Sequence, residues 1–216
     1  MRYLYGKSWE KYPIEENEKW VDKNTQSELI VKDILKGLPE SMYDVDMFYF
    51  DPPWSQSNIT CFLTKAGKQY RIDYNEFIDV IFMYIENIQP KVVYMEIGKQ
   101  NLNMILNKFN DIFEYVQHWQ IKYYKKNPCY LIRGSNHSIV DVDFTDLDDS
   151  ITPFIAIENE KDLHVNVIGD FCTGQGLTAL AALENNKRFI GVELNKRRMA
   201  VTIDKCNKKG ANYVRL

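Results

Sequence analysis

The sequence predicts an α/β fold built on a mainly parallel sheet. Short apolar runs of strand length alternate with segments of helical spacing along most of the 216 residues. Two of those runs stop at tight turns, Asp51-Pro52-Pro53-Trp54 and Asp170-Phe171-Cys172-Thr173-Gly174-Gln175-Gly176. A late strand pair around Lys125-Lys126-Asn127-Pro128 reads as a hairpin and places one antiparallel strand in the sheet. The length suits one domain, and 45% hydrophobic with 26% charged residues supply an ordinary core.

Residues 1–24 carry Trp9, Tyr12 and Trp20 without a clear period, and read as an arm over the domain or as a partner-binding segment. Thr25 and Glu28 form a capping box ahead of Leu29, Ile30, Ile34, Leu35 and Leu38. This predicts a helix over 25–38, stopped by Gly37 and Pro39. The run 45–50 is a buried strand ended by the prolines. Runs 59–64 and 69–72 flank Lys65-Ala66-Gly67-Lys68 and predict a hairpin. Asp73 caps a helix reaching about Asn87, with Phe77, Val80, Ile81, Tyr84 and Ile85 on one face. Pro90 precedes a strand over 91–97, a short helix covers 101–109, and 114–124 with 129–133 form the late hairpin. Beyond an acidic loop at 141–149, Thr152-Pro153 opens a short helix. A strand (165–170), helix (177–185), strand (188–193), helix (196–208) and strand (212–215) close the chain.

Composition narrows the function classes. The net charge of −3 argues against tight non-specific binding to nucleic acid. Local basic patches remain at Lys122, Lys125 and Lys126, at Lys196, Arg197 and Arg198, and at Lys208 and Lys209. The four cysteines are far apart and the three histidines scattered, so neither a disulfide framework nor a zinc site is expected. No apolar stretch approaches spanning length and residues 1–10 lack the apolar core of a signal segment, so a cytoplasmic location is expected.

Two turns carry the chemistry. In the second, glycines let backbone pass close to a ligand and start a helix whose N-terminus points at it. Glu193, 17 positions beyond Gly176, suits hydrogen bonding to ribose hydroxyls. Taken alone, a tight βα turn uses glycine in the same way. In the first turn two prolines remove two N–H donors, leaving carbonyls and the Asp51 carboxylate as clustered acceptors. Clustered acceptors suit an amino group on an aromatic ring, and Trp54 offers a planar face beside them. A proline-stiffened strand stop beside a core Trp is the plain alternative.

Together the turns resemble the β-class amino-methyltransferases of nucleic acids, whose catalytic tetrapeptide is Asp/Asn/Ser-Pro-Pro-aromatic. The segment DFCTGQGLTALAALENNKRFIGVELNKRRMAVTIDKC looks like their S-adenosylmethionine (AdoMet) region. The resemblance implies a Rossmann-like class I methyltransferase fold: a mostly parallel seven-stranded sheet with one antiparallel strand, in circularly permuted motif order. It implies one methyltransferase domain over 1–216, with an arm at 1–24, a catalytic half at 45–135 and an AdoMet half at 151–216. The helix over 25–38 is then the element that would otherwise follow the last strand. Two departures stand out. Phe171 and Cys172 occupy the positions of the family's Pro and Phe, although Asp170, Gly174 and Gly176 match. Where DNA enzymes of this order carry a target-recognition domain, only the acidic segment 136–150 is present.

On this resemblance Asp51, Pro52, Pro53 and Trp54 are catalytic. Asp170, Phe171, Cys172, Thr173, Gly174, Gly176 and Glu193, with Asp51, bind AdoMet. The implied reaction is methyl transfer to an exocyclic amino group, adenine N6 in DNA being favoured by Asp at the first position and Trp at the fourth. Cytosine N4, RNA or a small amine are alternatives, as is a non-catalytic methyltransferase-like subunit. A dinucleotide oxidoreductase would need a third glycine at the fingerprint spacing, which is lacking. Segment 55–71 carries Lys65, Lys68 and Arg71, candidates to close over a target strand. A homodimer or a recognition subunit is expected on the resemblance.

Overall fold

The computed structural model describes residues 5–216, so the first four residues of the 1–24 arm lie outside the described residues. The chain begins with α1 (Ser8–Lys11), β1 (Lys19–Asp22) and β2 (Glu28–Val31). Next come β3 (Met47–Phe50), α2 (Gln56–Lys65), α3 (Tyr74–Ile88), β4 (Val92–Ile97) and α4 (Leu102–Ile112). The hairpin β5 (Tyr115–Tyr123) and β6 (Asn127–Ser135) leads to α5 (Thr152–Asn159). The last part is β7 (Val167–Asp170), α6 (Leu177–Glu184), β8 (Arg188–Glu193), α7 (Lys196–Lys208) and β9 (Tyr213–Arg215).

The strands form one sheet in the order β5-β6-β4-β3-β7-β8-β2-β1-β9. The five strands from β4 to β2 are mutually parallel. These are the runs without polar interruption: β3 and β4 are buried at every position, as strands covered on both faces must be. On one face Tyr49, Tyr94, Leu29 and Val31 pack under α5, α6 and α7. On the other, Phe48, Phe50, Val93 and Met95 pack under α2, α3 and α4.

The expected seven strands are present from β5 to β2, and β6 is the antiparallel member. Two further strands extend the far edge, β1 antiparallel to β2 and β9 antiparallel to β1. Part of the arm is therefore sheet. The rest lies on α7, where Ser8 Oγ donates to Asp204 at 3.2 Å and Ile14 is fully buried.

Two local expectations are corrected. Residues 25–38 are not a helix: Glu28–Val31 is strand, pairing with β8 on one side and β1 on the other. The supposed capping hydroxyl of Thr25 instead donates to Asp22 at 2.6 Å, closing the turn between β1 and β2. Residues 59–64 are not a hairpin arm but the core of α2. Ile59 and Leu63 sit one turn apart facing inward, and the Ser55 hydroxyl caps the helix by accepting from Asn58 N–H.

From β3 the chain moves outward to β4, and from β7 it moves the opposite way to β8. The carboxyl ends of these adjacent strands are thus a topological switch point, where open α/β sheets place a crevice. Asp51 follows β3 and Asp170 ends β7.

Candidate active site

Both strand-end turns open into one cavity of about 680 Å³. Asp51, Pro52, Pro53 and Trp54 line it from β3; Asp170, Phe171, Cys172, Thr173 and Gly174 line it from β7; Glu193 lines it from the end of β8. Of the expected cofactor residues, Gly176 alone is absent from the wall. It caps α6 at φ +80°, and a Cβ there would lie 2.5 Å from Thr202 Cγ2, so its glycine serves the packing of α6 against α7.

The carboxylates sit in an unusual electrostatic setting. Burial pushes Asp51 up to about 7, opposed by the Trp54 indole, which donates to Oδ1 at 2.7 Å, and by Arg198. Burial pushes Asp170 up to about 8, although Cys172 N–H donates to it at 2.8 Å. Glu193 is also raised by burial, with Arg198 opposing, while Gly174 N–H and Asn195 N–H each donate to it at 2.8 Å. Seven carboxylates but four cationic side chains line the cavity. Such a wall has a deficit of positive charge that a cationic ligand would fill.

Phe171, standing where the resembled family has proline, is a core residue. It is 2% exposed and stacks on Phe48 with ring centroids 4.3 Å apart. Its neighbour Cys172 is partly exposed at the cavity, its thiol raised by burial. Trp54 does not stand free. Its ring packs on Gly98, where a Cβ would lie 2.8 Å from Cε3, and lies 4.7 Å from the Tyr123 ring.

The expected substrate cations are elsewhere. Lys68 pairs with Glu16 at 2.6 Å, Arg71 is exposed outside the wall, and Lys65 stands over the Phe62 ring at 5.6 Å. The same segment does wall the cavity, but through Asn58, Ile59, Phe62, Leu63, Tyr70 and Ile72.

Several site residues escaped sequence reasoning. Tyr123 and Tyr124, at the tip of the β5–β6 hairpin, continue an aromatic series from Trp54, their rings 4.2 Å apart and Tyr124 70% exposed. Asp148, Asp149 and Ser150 reach the mouth because the acidic loop is bonded along β5, with Asp149 N–H donating to Lys122 O at 2.8 Å. Glu96, in β4, lines the floor. Only the aromatic density of 123–124 was a usable signal; the others are brought in by non-local pairing.

No protein-family model matches the chain, and no curated protein matches it. Solved structures do. M1.HpyAVI in complex with SAM aligns with a TM-score of 0.52 at 14% identity, covering 80% of this chain and 94% of that one. TTHA0409 of Thermus thermophilus, described as a DNA modification methylase and complexed with S-adenosyl-L-methionine, aligns at 0.53 and 14% identity, covering 82% and 90%. The PvuII DNA methyltransferase, cytosine-N4-specific, aligns at 0.53 and 11% identity, covering 88% and 89%. At these identities the likeness is one of fold, and the chain shares the α/β, mostly parallel-sheet architecture of these methyltransferases.

Proposed function

We propose that the protein is an AdoMet-dependent methyltransferase acting on an exocyclic amino group of a nucleic-acid base, adenine N6 in DNA. The observation that carries this reading is the joint placement of the Asp51-Pro52-Pro53-Trp54 and Asp170-to-Gly174 turns on adjacent strand ends over one carboxylate-rich cavity. The fold neighbours add support, because two were solved with S-adenosyl-L-methionine and others are named for DNA methylation.

AdoMet, when bound, supplies an electrophilic methyl group on a sulfonium. The carboxylate excess suits its positive charge, and Asp170, Thr173, Gly174 and Glu193 are the residues that would hold it. Trp54 occupies Asp51 Oδ1, while Oδ2 has no hydrogen-bond partner among the described residues. Oδ2 and the Pro52 carbonyl are then the acceptors for the two N–H groups of the target amine. Holding both draws the nitrogen lone pair out of ring conjugation and aims it, so that rate comes from position. The nitrogen gains a methyl and gives up one proton, which Asp51, raised to about 7, is suited to take.

The test is transfer of labelled methyl from AdoMet to duplex DNA, single-stranded DNA and RNA, followed by nucleoside analysis. N6-methyladenine from DNA is expected. Label only in N4-methylcytosine would overturn the choice of base, and label only in protein would overturn the nucleic-acid reading. Cytosine N4 is the second reading, supported by the PvuII likeness.

A further inference from the structure

Glu96 is a buried carboxyl that the proposed transfer leaves unused. The parallel register pairs Tyr49 with Tyr94 and Phe50 with Met95, so the next step along both strands sets Asp51 beside Glu96 on one face of the sheet. Glu96 is 3% exposed and lines the same cavity. The two hydroxyls that reach it, from Tyr49 and from Thr152 at 3.2 Å, both converge on Oε1. Oε2 has no hydrogen-bond partner among the described residues, although a carboxyl so enclosed needs one. Glu96 thus offers a single unpartnered polar atom on the cavity floor, next to the acceptors proposed for the target amine.

We propose that Glu96, as the neutral acid, donates its Oε2–H to the ring nitrogen that flanks the target amino group, making it a specificity-determining contact. The assignment rests on the base-methyltransferase reading and sharpens it. In adenine and cytosine the Watson–Crick edge carries an unprotonated ring nitrogen beside the amino group, whereas guanine carries an N–H there. Asp51 Oδ2 and the Pro52 carbonyl take the amine, and Glu96 takes the neighbouring acceptor. An edge with donor and acceptor side by side is read by partners of opposite sense. A Lys amine or a Gln amide in a protein offers no such ring acceptor.

The surroundings keep Glu96 neutral. Burial is the largest cause raising it, followed by the Asp51 carboxylate, with Asp149 adding to both; Tyr49 and Thr152 oppose them. On the neighbouring β6 the Cys129 thiol is itself raised by burial and by Glu96. The cation Arg198 acts on Asp51, holding the negative charge of the pair there.

The experiment compares kcat/KM on single-stranded oligonucleotides carrying adenine or 1-deazaadenine, and cytosine or 3-deazacytosine, for wild type, Glu96→Gln and Glu96→Ala. The deaza bases keep the amino group and lose the ring acceptor. Wild type is expected to favour the natural base by about 10-fold or more, because the analogue leaves a buried donor unpaired. E96Q retains an N–H donor and keeps most of that ratio, while E96A brings it down to the ratio set by the intrinsic reactivity of the two amines. The wild-type ratio falls at alkaline pH as Glu96 ionises, and the E96Q ratio does not; this limb stands even if E96A fails to fold. A ratio that is the same in all three proteins and at all pH values overturns the Glu96 assignment alone. Methylation of none of the four oligonucleotides, by wild type holding AdoMet, overturns the base-methyltransferase reading and the Glu96 assignment with it.

Discussion

The Trp54 indole Nε1 donates a hydrogen bond to Asp51 Oδ1 at 2.7 Å, so the aromatic member of the turn is bound to its own carboxylate. This contact stabilises the ionised form of Asp51 against the burial that raises it. Trp54 thereby tunes an acceptor as well as offering a planar surface.

Trp54→Phe removes that donor and keeps an aromatic ring. Asp51 must be ionised to accept N–H bonds, so activity is present above its pKa and lost as pH falls through it. In wild type that limb lies near pH 7. The variant moves the limb to higher pH, losing more activity at pH 6.5 than at pH 8.5. A pH–rate profile checks this, and an unmoved limb would sink the role assigned to the indole.

The hairpin tip makes a separate prediction. Tyr124 and Lys125 hold left-handed backbone angles of +49° and +64°, a conformation that costs non-glycine residues energy. The turn is stapled by Tyr124 N–H donating to Asp149 at 3.0 Å. Tyr124→Ala removes an exposed ring from the Trp54–Tyr123–Tyr124 series. At about 1–3 kcal/mol per stacked base, KM for single-stranded DNA should rise roughly 10-fold with kcat little changed. Steady-state kinetics decide it; an unchanged KM contradicts the role of the tip.

Gly176→Ala distinguishes packing from ligand binding. The added Cβ meets Thr202 at 2.5 Å in a left-handed backbone, costing about 2 kcal/mol or more. The expected fall in Tm is about 4–8 °C, with AdoMet affinity within a few-fold of wild type at 20 °C. A selective loss of AdoMet affinity at unchanged Tm would return Gly176 to the binding site.

Stability should also depend on pH in a specific sense. Asp51, Asp170, Glu96 and Glu193 are all raised in the folded protein above ordinary carboxylate values. Between the unfolded and folded values the native state binds more protons, so unfolding free energy falls as pH rises from about 4 towards 8. Carboxylates held low, such as Asp22 and Asp46, are ionised in both states across this window and add no slope. The ligand-free protein should melt at a lower temperature at pH 8 than at pH 6, and Asp170→Asn should flatten the slope. A Tm that rises over this interval contradicts the account.

Much of this site could be read from the sequence, and the parts that could not share a cause. The Arg188–Glu193 strand and Lys196–Lys208 helix fall where their periods place them, because proline, glycine and Asn195 punctuate that half of the chain. Both turns appear where their glycines and prolines announce them. The run Glu28–Val31 looked helical because a short apolar segment has no decisive period; its pairing with β8, far along the chain, makes it a strand. Segment 55–72 was placed over the cavity with the wrong structure, so its cations were expected inside where its apolar side chains are. Glu96 was invisible because it reaches Asp51 only through the β3–β4 register, and Asp149 because the acidic loop is bonded along β5.

The most direct test of the central claim is Asp51→Ala, with labelled methyl transfer and AdoMet binding measured on the same preparation. Transfer to DNA should fall on the order of 10³-fold, since one of two acceptors for the amine is gone, while AdoMet affinity stays within a few-fold of wild type. Substantial transfer by the variant, or a loss of AdoMet binding matching the loss of transfer, would contradict the assignment of Asp51 to the target amine.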